Sequence, residues 1–161
     1  MLNPIKEIYN WQKAAGNLDK PYDDFLESSF QIEEALEGFN SLEYLGKLLT
    51  EDEMCTESDP KILSRMVVNA ALDTELSGYE DITDVDRLDK ACDAIIFAIG
   101  SMTKLGLDHH AITKALNIVN DANKAKLGMS RDSEGKLLKP DNWEKYSPEP
   151  LLQKLLDTCR K

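Results

Sequence analysis

Cysteine is scarce: Cys55, Cys92 and Cys159 are the only three in 161 residues, and no two form a Cys-x-x-Cys pair. An odd, scattered set of thiols argues against a disulfide framework and a thiolate zinc site, which leaves them as reduced, structural residues. Long apolar runs are missing too. The longest, Ala94 to Ile99, is far too short to span a bilayer. The opening Met1-Leu2-Asn3-Pro4 lacks the basic-then-apolar pattern of a secretory signal. These absences predict a cytoplasmic protein with no membrane partner. Basic charge is also in deficit, with 19 Lys and Arg against 30 Asp and Glu and a net charge of −11. Such a chain has no general attraction for nucleic-acid phosphates, so no nucleic-acid partner is expected, and a phosphate-bearing small molecule would need local lysines or bridging cations. Strand-period alternation, internal repeats and low-complexity tracts are absent as well.

What remains is helical periodicity, which predicts an all-α bundle of about five to six helices in one domain over residues 1–161. Asn3 can cap a first short helix with Pro4 at its first position, and Gly16 ends it. Pro21 can start a long helix to about Leu49, with Phe25, Ile32, Leu36 and Phe39 as its apolar stripe. An acidic loop over 50–59 precedes a third helix, capped by Ser58 or Asp59, that starts at Pro60, carries Leu63, Val67, Ala70 and Ala71 on one side, and ends near Gly78. The fourth begins at Thr83 or Asp84, with Asp86 as the acidic partner of a capping box. Its apolar run from Ala91 to Met102 predicts burial in the bundle or at a subunit contact. Asp108 caps a fifth helix to about Leu127, with Ile112, Ala115, Val119 and Ala122 inward. Residues 128–148 read as a loop or lid with a turn at Ser133-Glu134-Gly135, and residues 149–161 as a C-terminal helix carrying Leu151, Leu152, Leu155 and Leu156.

Two acidic helix faces stand out. Glu33, Glu34 and Glu37 lie within one turn of each other, and Leu26, Phe30, Tyr44 and Leu48 project into the same sector of the long helix. Asp89 and Asp93 are one turn apart on the apolar fourth helix, with Asp86, Phe97 and Gly100 on their side. The spacing itself is common, recurring at Asp23-Asp24-x-x-Glu27 and Glu80-Asp81-x-x-Asp84. The plain alternative is a set of solvated or lysine-paired acids. Carboxylates in an apolar sector must be protonated, hydrogen-bonded or bound to cations, and Mg²⁺ prefers such hard oxygen ligands.

The sequence resembles the all-α nucleoside triphosphate pyrophosphohydrolases, the MazG-like and phosphoribosyl-ATP pyrophosphohydrolase-like enzymes. The resemblance is carried by Glu33-Glu34-x-x-Glu37, by Asp89-Lys90-Ala91-Cys92-Asp93, by Ile118 through Lys126 and by Leu138 through Trp143, and covers most of residues 22–150. It implies an oligomeric helical bundle, a homodimer or homotetramer, that cleaves a nucleotide to the monophosphate and pyrophosphate. Mg²⁺ is the implied cofactor, with Mn²⁺ as substitute. By position it assigns metal binding to Glu33, Glu34, Glu37, Asp93 and Asp89, water activation to Glu34, and substrate contact to Asn123, Lys126, Asn120, Lys124 and Lys139. One departure stands in the second motif, where the family's Glu-x-x-Asp has Lys90 in its Glu position. A lysine cannot bind Mg²⁺, so Asp89 is the neighbouring acid that replaces it, and a bundle that binds a nucleotide or a protein without cleaving is the alternative.

His109-His110 start the fifth helix and point in different directions, which suits a surface or capping role better than a metal pair. Lys124, Lys126, Arg131, Lys136 and Lys139 crowd the loop region and are either phosphate clamps or solvated charges. Trp11 is expected to pack. Trp143, set in a polar loop, is the better candidate for a closing lid.

Overall fold

The computed structural model describes residues 3–72 and 82–159. Its helices are α1 (Pro4–Ala14), α2 (Asp24–Leu36), α3 (Glu43–Thr50), α4 (Pro60–Leu72), α5 (Asp84–Lys104), α6 (His109–Lys124) and α7 (Glu149–Cys159), with a short 3₁₀ turn at Trp143–Lys145. The fold class is all-α, and the one β pairing among the described residues is an isolated bridge between Arg131 and Leu137. Contacts divide the chain into two compact units, Pro21–Glu80 and the remainder, Met1–Lys20 with Asp81–Lys161.

In the second of these units, capping residues set the helix starts. Asn3 Oδ1 accepts from the Ile5 and Lys6 amides ahead of Pro4. Thr83 and Asp86 close a reciprocal capping box on α5, and the bond from the Thr83 hydroxyl, followed by that from its amide, holds the Asp86 carboxyl below its ordinary range. Asp108 accepts from the Ala111 amide at 2.8 Å, which lowers its carboxyl likewise. The core forms where α6 and α7 meet: Leu107, Ala111, Ile112, Ala115 and Leu155 are buried, with Met102, Leu152 and Leu156 packed around them. Helix α1 lies along α6. The inward face expected of α6 holds at Ile112, Ala115 and Ala122, whereas Val119 is exposed. Helix α5 touches only the start of this core. Apart from half-buried Ala91, its apolar residues from Val85 to Ile99 are exposed, so burial within the unit is not where that run is spent.

The loop after α6 is ordered by one cation. The Arg131 guanidinium donates to the carbonyls of Ala15 and Gly135 and, at 3.3 Å, to Asn17 Oδ1. The expected turn follows: Asp132 Oδ1 accepts from the Glu134 and Lys136 amides, and Gly135 takes φ +83°, which a side chain would resist.

Within Pro21–Glu80, α2 packs on α4, and α3 leans on α4. Leu63, Ser64 and Ser29 are fully buried, the two serines being small enough to let the helices approach closely. Asp59 Oδ1 accepts from the Lys61 amide at the start of α4. That helix is described to Leu72; its expected end near Gly78 lies outside the described residues.

The single helix expected from Pro21 to Leu49 is two. Helix α2 stops at Leu36, and the chain turns through Glu37 and Gly38 before α3 begins at Glu43. Gly38, Asn40 and Ser41 are weak helix formers, and breaking there buries Leu42 and Gly46. Phe39 consequently drops out of the apolar stripe and is exposed.

Gly46 lies so close to the Glu57 carbonyl that an added Cβ would stand 2.3 Å from its oxygen. Gly46→Ala is therefore expected to lower the urea stability of the protein by about 1–3 kcal/mol. The Asp86 and Asp108 caps are held ionised below the ordinary carboxylate range. Their contribution is thus complete above the range in which an unfolded chain's carboxylates titrate and disappears as pH falls through their lowered values. Helical circular dichroism followed in acid should show Thr83→Ala and Asp108→Ala variants losing signal at higher pH than the parent chain.

Candidate functional site

The Glu33 face of α2 is defined by α4. Ser29 and Glu33, one turn apart, are both buried in the row that α4 covers. There Glu33 Oε2 meets Arg65 Nη1 at 2.6 Å. Arg65 also donates to Ser64 Oγ at 2.7 Å and to the Lys61 carbonyl at 3.1 Å, and its guanidinium stands 5.4 Å from the centre of the Phe30 ring. A nearly dry guanidinium–carboxylate pair supplied with extra hydrogen bonds is a strong structural clamp.

The other two glutamates behave differently. Glu34 is exposed, and Glu37 is exposed at the C-cap, just beyond the last turn of α2. The apolar sector expected around the three acids is only half present. Leu26 and Phe30 are half-buried on α2, but Tyr44 and Leu48 belong to α3 and are exposed, because the helix break removes them from the projection.

On α5, Asp89 and Asp93 are exposed one turn apart, with Lys90 also exposed beside them. Carboxylate oxygens are the right donor type for Mg²⁺. Among the described residues, however, no three Asp, Glu, His or Cys side chains converge on a point that could hold an ion, and one Glu33 oxygen already receives Arg65. In this arrangement the acids do not fit a bound Mg²⁺.

The residues assigned to substrate form a more continuous feature, all within the unit of α1, α5, α6 and α7. Asn120 and Asn123 occupy one face of α6 and line a cavity of about 390 Å³ with Trp11 and Gln12 of α1 and Leu152 and Leu156 of α7. Asn120 is 3% exposed, and its amide nitrogen has no hydrogen-bond partner among the described residues. Trp11 Nε1 donates to the Asn123 carbonyl at 2.9 Å, so this tryptophan packs as expected.

Beyond the cavity, Lys126 Nζ donates to Asn123 Oδ1 at 2.8 Å and stands 5.1 Å from the centre of the Trp143 ring. Lys139 Nζ lies 5.3 Å from the same ring. Two ammonium groups thus share one indole, a cation–π arrangement that keeps positive charge gathered in an acidic protein. Lys124 is turned away, held by Asp121 at 2.9 Å and Glu7 at 3.1 Å; the Asp121 bond is the main reason its pKa is raised.

Sequence reasoning missed Arg65 and Gln12. Arg65 sits at an ordinary helical position, and only its reach across to α2 makes it significant. Gln12 is brought to the cavity by the packing of α1 on α6. His109 and His110 are exposed at the start of α6 with their rings 4.0 Å apart, outside both features. No family model, no curated protein and no solved structure matches this chain.

Removing the arginine alone would strand a buried carboxylate. Arg65→Ala should cost about 3–5 kcal/mol in chemical denaturation, with part of the loss recovered when Glu33→Gln is added. An unchanged midpoint for the single variant would show that the pair does not clamp the two helices.

Proposed function

We propose that this protein is a Mg²⁺-dependent nucleotide pyrophosphohydrolase, cleaving a nucleoside triphosphate or a related nucleotide to the monophosphate and pyrophosphate. The observation that carries this reading is the run Asn120, Asn123, Lys126, Trp143 and Lys139. It joins amides beside a cavity to two ammonium groups over one indole. Amides suit the donors and acceptors of a base or sugar, and clustered lysines suit phosphate oxygens. The resemblance at Glu33, Glu34, Glu37, Asp89 and Asp93 supplies the expectation of cleavage, with Glu34 as the group that activates water. On this reading the protein acts as a homodimer or homotetramer, and Mn²⁺ substitutes for Mg²⁺. On this reading Glu33 would have to be free of Arg65 to serve as a metal ligand.

A second reading is favoured by a specific pair of observations. Glu33 is engaged by Arg65, and Lys90 occupies the second motif's glutamate position. A protein that binds a nucleotide without cleaving it, or a helical bundle that binds a protein partner, would keep both features.

Pyrophosphate release measured over the common ribo- and deoxynucleoside triphosphates separates the two. The hydrolase reading expects turnover that stops when the divalent ion is chelated and when Glu34→Gln is introduced into a still-folded chain. Lys126→Ala is expected to raise KM about tenfold or more, the loss of one charge-assisted phosphate contact. Binding without turnover on every nucleotide would leave the second reading.

A further inference from the structure

The cavity beside α6 has a lining of hydrocarbon and one buried amide that the lining does not satisfy. Its apolar walls include Ile8 and Trp11 of α1, Leu116 of α6, and Leu152 and Leu156 of α7, all within one unit. Three amide side chains interrupt them: Gln12, Asn120 and Asn123. At two of these the acceptors are already engaged. Gln12 Oε1 takes Asn17 Nδ2 at 2.5 Å, Asn123 Oδ1 takes Lys126 Nζ at 2.8 Å, and the Asn123 carbonyl takes Trp11 Nε1 at 2.9 Å. At the third a donor stands idle, since Asn120 is 97% buried and its Nδ2 has no partner among the described residues. A buried donor without an acceptor is destabilising, and native proteins keep few of them without a reason. Water answers it poorly. A buried water takes about two to four polar partners, and a wall of carbon whose acceptors are engaged elsewhere supplies few.

We propose that this cavity binds an uncharged, flat aromatic compound of about two fused rings that presents a hydrogen-bond acceptor to Asn120. Volume sets the size: the cavity holds about 390 Å³, well over twice the roughly 150 Å³ that admits a single benzene. The walls set the body of the ligand, because they reward apolar ring surface and would leave a charge among them unpaired. Asn120 sets the polar group. A ring nitrogen or a carbonyl oxygen would satisfy its Nδ2, whereas a donor placed there would oppose one N–H to another. The base of a nucleotide and a free heterocycle both offer this chemistry. None of the acids of α2 and α5 takes part, so the site stands or falls separately from hydrolysis.

Three fused-ring probes test the site on the full chain, with binding read from a proton–nitrogen correlation spectrum. Quinoline carries an acceptor, indole a donor, and naphthalene neither. Quinoline is expected to move the Trp11 ring N–H and the Asn120 side-chain signals, and to bind about fivefold or more tightly than indole, the effect of one satisfied hydrogen bond. Asn120→Leu, checked for helicity by circular dichroism, should weaken quinoline by about the same factor and leave naphthalene bound at least as tightly. A merely structural role for Asn120 would weaken both probes alike, and that result would overturn the proposal. So would indole binding as tightly as quinoline in the unsubstituted chain, a comparison that needs no variant, or the failure of every probe to move the Trp11 signal. A nucleoside triphosphate added to the quinoline-loaded chain then distinguishes the sources. Displacement identifies the ring as a nucleotide's base, and undisturbed quinoline identifies a free heterocycle; each supports the pocket. Absence of pyrophosphate release would remove the hydrolase reading and leave this site in place.

Discussion

The contact between Glu33 and Arg65 governs how Pro21–Glu80 is built and what α2 can do. At 2.6 Å and nearly dry, the pair fixes the register of α2 against α4 more firmly than the small serines around it can. Neither member is easily dispensed with, since either alone would be a buried charge. The same contact occupies one of the two Glu33 oxygens.

In the other unit the constraint is different in kind. A small core at the α6–α7 junction supports a wall of amides and a cation-bearing loop, and Arg131 ties that loop back to the end of α1 through Ala15 and Asn17. The division of labour among the lysines follows from this. Lys124 falls on the side of α6 facing Glu7, and Lys126 falls beyond the helix end where the Asn123 amide and Trp143 can reach it. Two residues of chain separate a structural ion pair from a candidate phosphate contact.

Much of the helical content was legible because it depends on short-range chemistry. The caps at Asn3, Thr83 and Asp108, the turn at Gly135 and the short C-terminal helix are local hydrogen-bonding events that a few neighbouring residues settle. The break between α2 and α3 was not legible. The apolar period continues across Gly38, and only the burial of Leu42 and Gly46 favours the turn. The expected apolar surroundings of the Glu33 face failed with it, since Tyr44 and Leu48 were placed by projecting a helix that is interrupted. Among candidate substrate contacts, Asn120, Asn123, Lys126 and Lys139 gather at one end of their unit while Lys124 departs, a distinction that residue type alone cannot make.

The sequence by itself determined that this is an all-α chain with its helices capped where short side chains can reach backbone amides, and that Glu33 and Glu34, like Asp89 and Asp93, lie on helices. Those properties follow from periodicity and from interactions within a single turn. Tertiary structure alone decided that Glu33 is spoken for by Arg65, that Trp11 stands beneath Asn123, and that the apolar run of α5 is turned outward. Each of these depends on which residues distant in sequence become neighbours, and packing, not local propensity, sets that.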